Sequence, residues 1–166
     1  MTHQLTIGQR IVHRRYGAGT VVRVRKGRKD EEHERYYVIE IPSRELKVHL
    51  PVDSAEKTDL RKLASTRKMN RALRILSQQP TDLPRDYRER RALVSELMTD
   101  GTVDSLAQIV RDLCALQSRK SMSTLESTML ANAKCRLAGE LALVADIELP
   151  QAMQRIDKAV RRNEGD

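Results

Sequence analysis

The sequence contains no tryptophan and no phenylalanine, and it has only four tyrosines among 166 residues. A hydrophobic core must therefore be built from Leu, Val, Ile, Ala and Met, a composition that suits packed helices better than a large sheet. No apolar run approaches the roughly 20 residues that a membrane-spanning helix requires. The chain begins with polar Thr2, His3 and Gln4 where a signal peptide would carry an apolar stretch. We therefore expect a cytoplasmic protein.

The sequence also lacks the motifs of common enzyme chemistries. It has no Walker-type loop, no dinucleotide-binding glycine fingerprint, no His-Glu-x-x-His and no Gly-x-Ser-x-Gly. Cys114 and Cys135 fall in predicted helices, where we interpret them as free, buried side chains. The four histidines have no spacing typical of metal ligands. We predict no catalytic residues, no metal site and no cofactor.

Positive charge is concentrated in part of the chain. The net charge of +8 suggests an anionic partner. Residues 61–91 hold 10 Lys and Arg against 3 Asp and Glu, whereas residues 92–166 hold 9 against 11. The first predicted helices therefore carry the excess. Their basic face is either an ordinary solvated helix surface or a surface that binds phosphates.

Short runs of β-branched residues occupy the first third of the chain. These runs fall at residues 11–12, 20–24, 36–41 and 46–50, and glycine-containing or charged segments separate them. The pattern predicts a small barrel of short strands that ends at Asp53. We expect Gly17 and Gly19 to take positive φ angles in its first turn. The charged segment 26–34 is predicted to form a hairpin tip.

Apolar side chains at helical spacing dominate the rest of the chain. We predict helices from Asp59 to about residue 78, from Asp82 to about residue 98, at residues 103–118 and 123–144, and from Pro150 onward. Asp59 and Asp82 are interpreted as N-caps, and Ser123 and Glu126 have the spacing of a capping box.

The side chains expected to face the helical core include Tyr87, Val94 and Leu97 on the second helix. A stripe of apolar residues begins at Leu125 and recurs every four residues along the fourth helix. We interpret this stripe as core and not as the seam of a dimer, and we therefore expect a monomer.

Segments in both parts of the chain resemble one known family. The first part contains Ile-Gly-Gln-Arg-Ile-Val at residues 7–12, Tyr-Gly-Ala-Gly at 16–19, Tyr-Tyr-Val-Ile-Glu-Ile at 36–41 and Leu-Lys-Val-His-Leu-Pro-Val-Asp at 46–53. The second part contains Val-Arg-Asp-Leu at 110–113, Met-Leu-Ala-Asn-Ala-Lys at 129–134 and Leu-Ala-Gly-Glu-Leu-Ala-Leu at 137–143. Together these segments resemble the CarD/CdnL family of bacterial transcription regulators.

The resemblance implies an α+β fold. A small N-terminal Tudor-like β-barrel is expected at residues 1–53, followed by an all-α C-terminal helical domain at residues 59–163. In this family the barrel binds RNA polymerase. We expect one edge of the barrel to pair with a strand of the polymerase β subunit. The residues in matching contact regions are Arg25, Arg28, Glu45, Lys47 and His49.

The resemblance further implies that the helical domain contacts promoter DNA just upstream of the transcription bubble. This contact would be weak and largely independent of DNA sequence, and it would stabilise the promoter open complex. The protein would accordingly be associated with the nucleoid. The predicted DNA-binding residues are Arg67, Lys68, Arg71, Arg74, Leu83, Arg85 and Arg88. Leu83 matches a position where the family typically has a tryptophan that enters the minor groove. The sequence by itself favours Leu83 as a staple that packs on its own helix, whereas the resemblance favours an apolar wedge.

Three interpretations stay open on the sequence. For Arg25 and Arg28, an ordinary solvated hairpin tip is the alternative to polymerase contact. Because Leu83 replaces the family's tryptophan, the protein could instead be a polymerase adaptor that recruits another protein without productive DNA contact. A free-standing RNA-binding protein is the third interpretation, and the scarcity of aromatic side chains for base stacking argues against it.

Overall fold

The computed structural model describes residues 4–53 and 59–163, and the chain divides into two compact units between Leu63 and Ala64. Unit 1 contains five strands: β1 (Arg10–His13), β2 (Gly17–Lys26), β3 (Arg35–Ile41), β4 (Leu46–Pro51) and β5 (Leu60–Arg61). Unit 2 contains five helices: α1 (Thr66–Leu76), α2 (Tyr87–Asp100), α3 (Val103–Arg119), α4 (Thr124–Ala145) and α5 (Leu149–Arg161). The predicted α+β class is confirmed.

The strands of unit 1 form one curled antiparallel sheet in the order β4-β3-β2-β1-β5. Alternation along β3 places Tyr37, Ile39 and Ile41 on the face that packs with Val21 and Leu50 in the core. The pairing of β2 with β3 shifts register between Val21 and Arg23. Such a bulge bends a strand and increases its twist, which favours a curled half-barrel over a flat sheet.

Glycine is needed in β2 for two different reasons. Gly17 has a φ angle of 109°, as expected. The positive φ expected for Gly19 is wrong. Among the glycines of the described residues, those with positive φ are Gly8, Gly17 and Gly101. A Cβ atom at Gly19 would lie 2.4 Å from the carbonyl oxygen of Glu40. Gly19 is therefore needed for the close approach of β2 and β3.

A short strand stands where the sequence predicted the start of a helix. Residues Leu60 and Arg61 pair with β1, and the carbonyl oxygen of Asp59 accepts a hydrogen bond from the backbone N–H of Arg14. Helix α1 begins only at Thr66. Its N-cap is Ser65, whose side chain accepts a hydrogen bond from the backbone N–H of Lys68. Asp59 is therefore not an N-cap, because pairing with a distant strand overrides the local helical spacing.

Helix α3 is the centre of unit 2 and packs against α1, α2 and α4. Its Leu106, Ile109 and Leu113 are at most 1% exposed, as are Leu141 on α4 and Ile156 on α5. The predicted capping box of Ser123 and Glu126 is present at the start of α4. Further along α4, a Glu140 Oε1 atom accepts a hydrogen bond of 2.8 Å from the backbone N–H of Ala64, 76 residues earlier in the chain.

Helix α2 begins four residues later than predicted. Its N-cap is Asp86, whose side chain accepts from the backbone N–H groups of Arg88 and Glu89. A residue that precedes a proline is disfavoured in the helical conformation. Leu83 precedes Pro84, and a helix capped by Asp82 would require Leu83 to be helical.

Two side chains that were expected in the helical core are exposed. Leu125 is 36% exposed, and Tyr87 is 39% exposed even though Val94, two turns along the same face of α2, is buried. The first turn of α2 is exposed from Tyr87 to Glu89. In the part of the chain that the structure describes, no helix has the length and apolar character needed to cross a bilayer.

Candidate functional site

Strand β4 forms one end of the described sheet, with β3 as its neighbour. The side chains of Leu46, Val48 and Leu50 contribute to the core of unit 1. Lys47 and His49 alternate with them and are exposed. The outer backbone edge of such a strand can pair with a strand of another protein.

Glu45 precedes β4 in a left-handed backbone conformation, with a φ angle of 51°. Its N–H donates a hydrogen bond of 3.2 Å to the carbonyl oxygen of Pro42, which closes a short 3₁₀ turn. Glu45 and Lys47 line a concavity of about 260 Å³ together with Glu40 of β3. Two of the predicted polymerase-binding residues therefore lie together at the beginning of β4.

Arg25 connects the hairpin tip to the outer face of the sheet. Its Nη1 and Nη2 atoms donate to the two carboxylate oxygens of Glu31 at 2.8 and 2.9 Å, and its Nε atom donates to Nδ1 of His49 at 2.7 Å. The guanidinium carbon lies 4.4 Å from the centre of the Tyr36 ring. With 16% of its side chain exposed, Arg25 is held by these contacts and does not extend freely into solvent.

These contacts set the charge state of the hairpin. The hydrogen bonds from Arg25, together with one from the Arg28 backbone N–H, lower the pKa of Glu31 to about 2. The hydrogen bond to Glu31 raises the pKa of Arg25. Burial lowers the pKa of His49, and the charges of Arg25 and Arg23 lower it further. The lowered pKa favours the neutral imidazole, in which Nδ1 can accept the bond from Arg25.

The basic face predicted for α1 is present. Arg67, Arg71 and Arg74 form an exposed row on the side of α1 opposite the buried Met69, Ala72 and Leu76, and exposed Lys68 lies beside the row. Arg71 differs from its neighbours because its Nη2 atom donates to Oδ2 of Asp104 at 2.6 Å.

Arg74 also belongs to a basic concavity that sequence reasoning missed. Residues in and just after the second half of α1, and in and just after the second half of α5, line this space of about 680 Å³. Its cations are Arg74, Arg155, Lys158 and Arg162. The last three lie in a part of the sequence with no excess of positive charge, so only the packing of α5 against α1 reveals them.

Leu83 lies in the irregular segment between α1 and α2. It is half-buried and packs against the helical core. With the exposed Arg85 it lines a concavity of about 380 Å³ that also includes Arg119 and Lys120. The structure therefore brings Leu83 and Arg85 together, while Arg88 lies in a separate concavity with Tyr87 and Arg91.

Two buried ion pairs hold the segment that carries Leu83. In the first pair, the Arg111 Nε atom donates to Oδ1 of Asp112 at 2.8 Å. The same Asp112 oxygen accepts from the Thr81 N–H at 2.9 Å, and Arg111 donates to the Thr81 hydroxyl at 3.0 Å. This pair fixes the chain two residues before Leu83.

The second pair joins α2 to α4. Nε and Nη2 of Arg90 donate to Oε1 of Glu126 at 2.8 and 2.5 Å, and both side chains are at most 7% exposed. Nη1 of Arg90 donates to the carbonyl oxygens of Pro84 and Arg85 at 3.1 and 3.3 Å. Sequence reasoning missed Arg90, although its position four residues before the buried Val94 is a signal that it faces inward.

The described residues offer no grouping of three His, Cys, Asp or Glu side chains that could hold a metal ion. The described residues instead provide a strand at the end of the sheet, exposed cations and the half-buried Leu83 in a fixed segment, features that suit binding.

We expect Arg90→Met to destabilise unit 2 by about 3–5 kcal/mol, because it leaves the Glu126 carboxylate buried without its partner. Urea unfolding followed by circular dichroism measures this change. The exposed neighbour Arg91 provides a matched control, and Arg91→Met should change stability by less than about 0.5 kcal/mol. Equal unfolding midpoints for the two variants would contradict a structural role for the pair.

The Arg25–Glu31 pair should make the stability of unit 1 depend on acid pH. The folded pKa of Glu31 is about 2 and its ordinary value is 4.5, so the pair stabilises the fold above pH 4.5. This stabilisation is lost as the pH falls from 4.5 through 2. We expect wild type to lose stability relative to Glu31→Gln in that range, measured by urea unfolding at several pH values. The control is Glu32→Gln, because the Glu32 side chain is 94% exposed. A pKa of Glu31 near 4.5, measured by NMR titration, would contradict the expectation.

Comparisons with known proteins match both units. Residues 5–64 match the family model of the CarD-like/TRCF RID domain, and residues 71–157 match that of the CarD C-terminal domain. The chain is also similar to "Putative transcription factor YdeB" of Bacillus subtilis (strain 168). The two are 25% identical over 141 residues, which cover 85% of this chain and 92% of the relative. The family is one of transcription factors, and its first domain implies an interaction with RNA polymerase. Since the two domain models match in the order of the two units, the chain belongs to the CarD family.

Proposed function

We propose that unit 1 binds the β subunit of RNA polymerase by pairing β4 with a polymerase strand. The observation that supports this most is the position of β4 at the end of the described sheet, with Lys47 and His49 exposed beside its edge. Pairing would supply main-chain hydrogen bonds, and the flanking side chains would supply selectivity.

Within this interface, the five predicted residues have different roles. Arg28, Glu45, Lys47 and His49 are exposed and would contact polymerase directly. The guanidinium of Arg25 already donates hydrogen bonds to Glu31 and His49, so we propose that Arg25 acts as a positioning residue. It would hold the His49 imidazole in one orientation and thereby reduce the entropy lost on binding.

We further propose that unit 2 contacts promoter DNA upstream of the bubble and stabilises the open complex. The exposed row on α1 and the segment with Leu83 and Arg85 would provide phosphate and apolar contacts. Phosphate contacts position a protein without specifying sequence, so binding by the isolated protein would be weak. Tethering to polymerase raises the effective local concentration of unit 2.

The proposed mechanism is differential binding. Contacts made in the open complex and not in the closed one shift the melting equilibrium toward the open state. A difference of about 1.4 kcal/mol between the two states changes their ratio tenfold. The two ion pairs that fix Thr81, Pro84 and Arg85 support this mechanism, because a preorganised segment loses little entropy when it binds.

A polymerase adaptor is the second candidate function. It is favoured by the half-burial of Leu83, which packs against the helical core and therefore offers only part of its side chain to DNA. In that case unit 2 would recruit another protein.

Binding through β4 predicts that Lys47→Gln weakens the complex with polymerase core enzyme about fivefold, equivalent to about 1 kcal/mol. Glutamine is chosen because Glu40 lies opposite Lys47, and a charge reversal would place two carboxylates together. The control is Lys62→Gln, at an exposed lysine just after β5, the opposite end strand. Size-exclusion co-elution establishes the wild-type complex, and titration gives the affinities. Equal affinities for both variants, or no wild-type complex at low salt, would count against the interface.

DNA contact through Leu83 predicts that Leu83→Ala shortens the open-complex lifetime and that Leu83→Trp lengthens it, because the aromatic side chain covers more of the exposed base surface. Lifetimes are measured with polymerase holoenzyme on promoter DNA after addition of a competitor. Leu125→Ala, at an exposed leucine of α4, should leave the lifetime unchanged. An unchanged lifetime for all three variants would favour the adaptor function.

A further inference from the structure

The basic concavity between α1 and α5 gathers positive charge from two helices. Its volume of about 680 Å³ is within the range of about 300–1,000 Å³ that is typical of small-molecule sites. Four exposed cations line it, namely Arg74, Arg155, Lys158 and Arg162. The described residues contribute no carboxylate to this lining. A cleft lined by charges of one sign attracts ions of the opposite sign, so this space favours an anion.

The four cations are not neutralised within the fold. In the part of the chain that the structure describes, none of them takes part in an ion pair, whereas charged residues close to them in the sequence do. Asp157 of α5 is paired with Lys134 of α4, and Arg71 of α1 is paired with Asp104 of α3. The cations that line the concavity are therefore available to an anion from outside the protein.

Reciprocal hydrogen bonds hold the two helices that form the concavity together. The hydroxyl of Ser77, the C-cap of α1, donates to the carbonyl oxygen of Ala159 at 3.1 Å. The side-chain amide of Asn163, just after α5, donates to the carbonyl oxygen of Leu76 at 2.8 Å. The last carbonyl groups of a helix lack partners within it, so each helix caps the other. The concavity is therefore preformed, and a ligand does not have to order it first.

The arrangement of the cations indicates which kind of anion fits. Arg155, Lys158 and Arg162 are three and four residues apart, so they follow one face of α5 at intervals of about 5–6 Å along its axis. Arg74 approaches the same space from α1. A compact anion with several linked phosphate groups can contact cations on both helices at once. A single phosphate carries less charge, and the phosphates of a DNA strand are spread along an extended backbone.

We propose that the basic concavity is a binding site for a soluble polyphosphate, a small molecule with two or more linked phosphate groups. Arg74 binds the anion from α1, and the three cations of α5 bind it from the other helix. Gln78, whose exposed side chain also lines the space, can donate a further hydrogen bond through its amide. This inference goes beyond the proposed function, and it shares only Arg74 with the predicted DNA-binding residues.

The test measures binding of inorganic tripolyphosphate to the full-length protein by isothermal titration calorimetry. Orthophosphate and a blunt DNA duplex are titrated separately at the same low ionic strength. The variants are Lys158→Gln and Arg161→Gln. Arg161 is the matched control, because both residues are exposed cations in the last turn of α5, whereas Arg161 lies outside the lining of the concavity. Each substitution removes one positive charge from the same helix end, so the two variants have the same effect on the helix dipole.

We expect Lys158→Gln to weaken tripolyphosphate binding about tenfold, the effect of losing one hydrogen bond to a charged group. Arg161→Gln should weaken it less than about twofold, because a charge outside the site acts only through solvent and salt. Wild type should bind tripolyphosphate at least about tenfold more tightly than orthophosphate, since linked phosphates contact both helices together. In NMR spectra of wild type, tripolyphosphate should shift the amide signals of Ser77, Gln78 and residues 155–162.

Three results would overturn the inference: no binding of tripolyphosphate by wild type, an equal loss of binding in the two variants, or equal affinities of wild type for tripolyphosphate and orthophosphate. A larger loss of duplex binding than of tripolyphosphate binding in Lys158→Gln would also overturn it, because the concavity would then belong to the DNA surface. None of these results contradicts the proposed DNA contact of unit 2, which the Leu83 variants test separately through the lifetime of the open complex.

Discussion

The buried pair of Arg90 and Glu126 is the interaction that fixes the start of α2, the segment before it and the start of α4. Glu126 is shared between the guanidinium of Arg90 and the capping box of α4. The remaining donors of Arg90 bind the chain before α2, and its guanidinium lies over Tyr87. A buried ion pair contributes little net stability compared with apolar residues of the same size. Its value in this fold is geometrical, since one side chain fixes a loop, a helix start and an aromatic ring at once.

Arg25 has a comparable role in unit 1, at the surface of the sheet. It connects residues from the hairpin tip, β3 and β4 through Glu31, Tyr36 and His49. In both units an arginine holds the neighbours of the exposed groups while remaining largely inaccessible itself. Arginine suits this task because its planar group donates several hydrogen bonds in fixed directions and stacks on aromatic rings.

The sequence was sufficient to predict features that depend on local spacing. The four longer strands follow from β-branched runs, and the capping box of Ser123 follows from a four-residue motif. Features that depend on distant pairing could not be predicted in the same way. Strand β5 exists because β1 lies beside it, and Arg155, Lys158 and Arg162 approach Arg74 only when α5 packs on α1. The exposure of Tyr87 was missed for a related reason. Helical periodicity gives the face on which a residue lies, but not how far along the helix other elements cover that face.

The hydrogen bond between Ala64 and Glu140 bears on how the protein folds during its synthesis. The contacts of β1 to β4 join neighbouring segments of the chain, so this sheet can form soon after it leaves the ribosome. The anchor for the first residue of unit 2 is 76 residues further along, and Leu76 is bound by Asn163. Contacts of such separation form late. Unit 2 therefore completes its structure only after Asn163 has been synthesised, later than the sheet of unit 1.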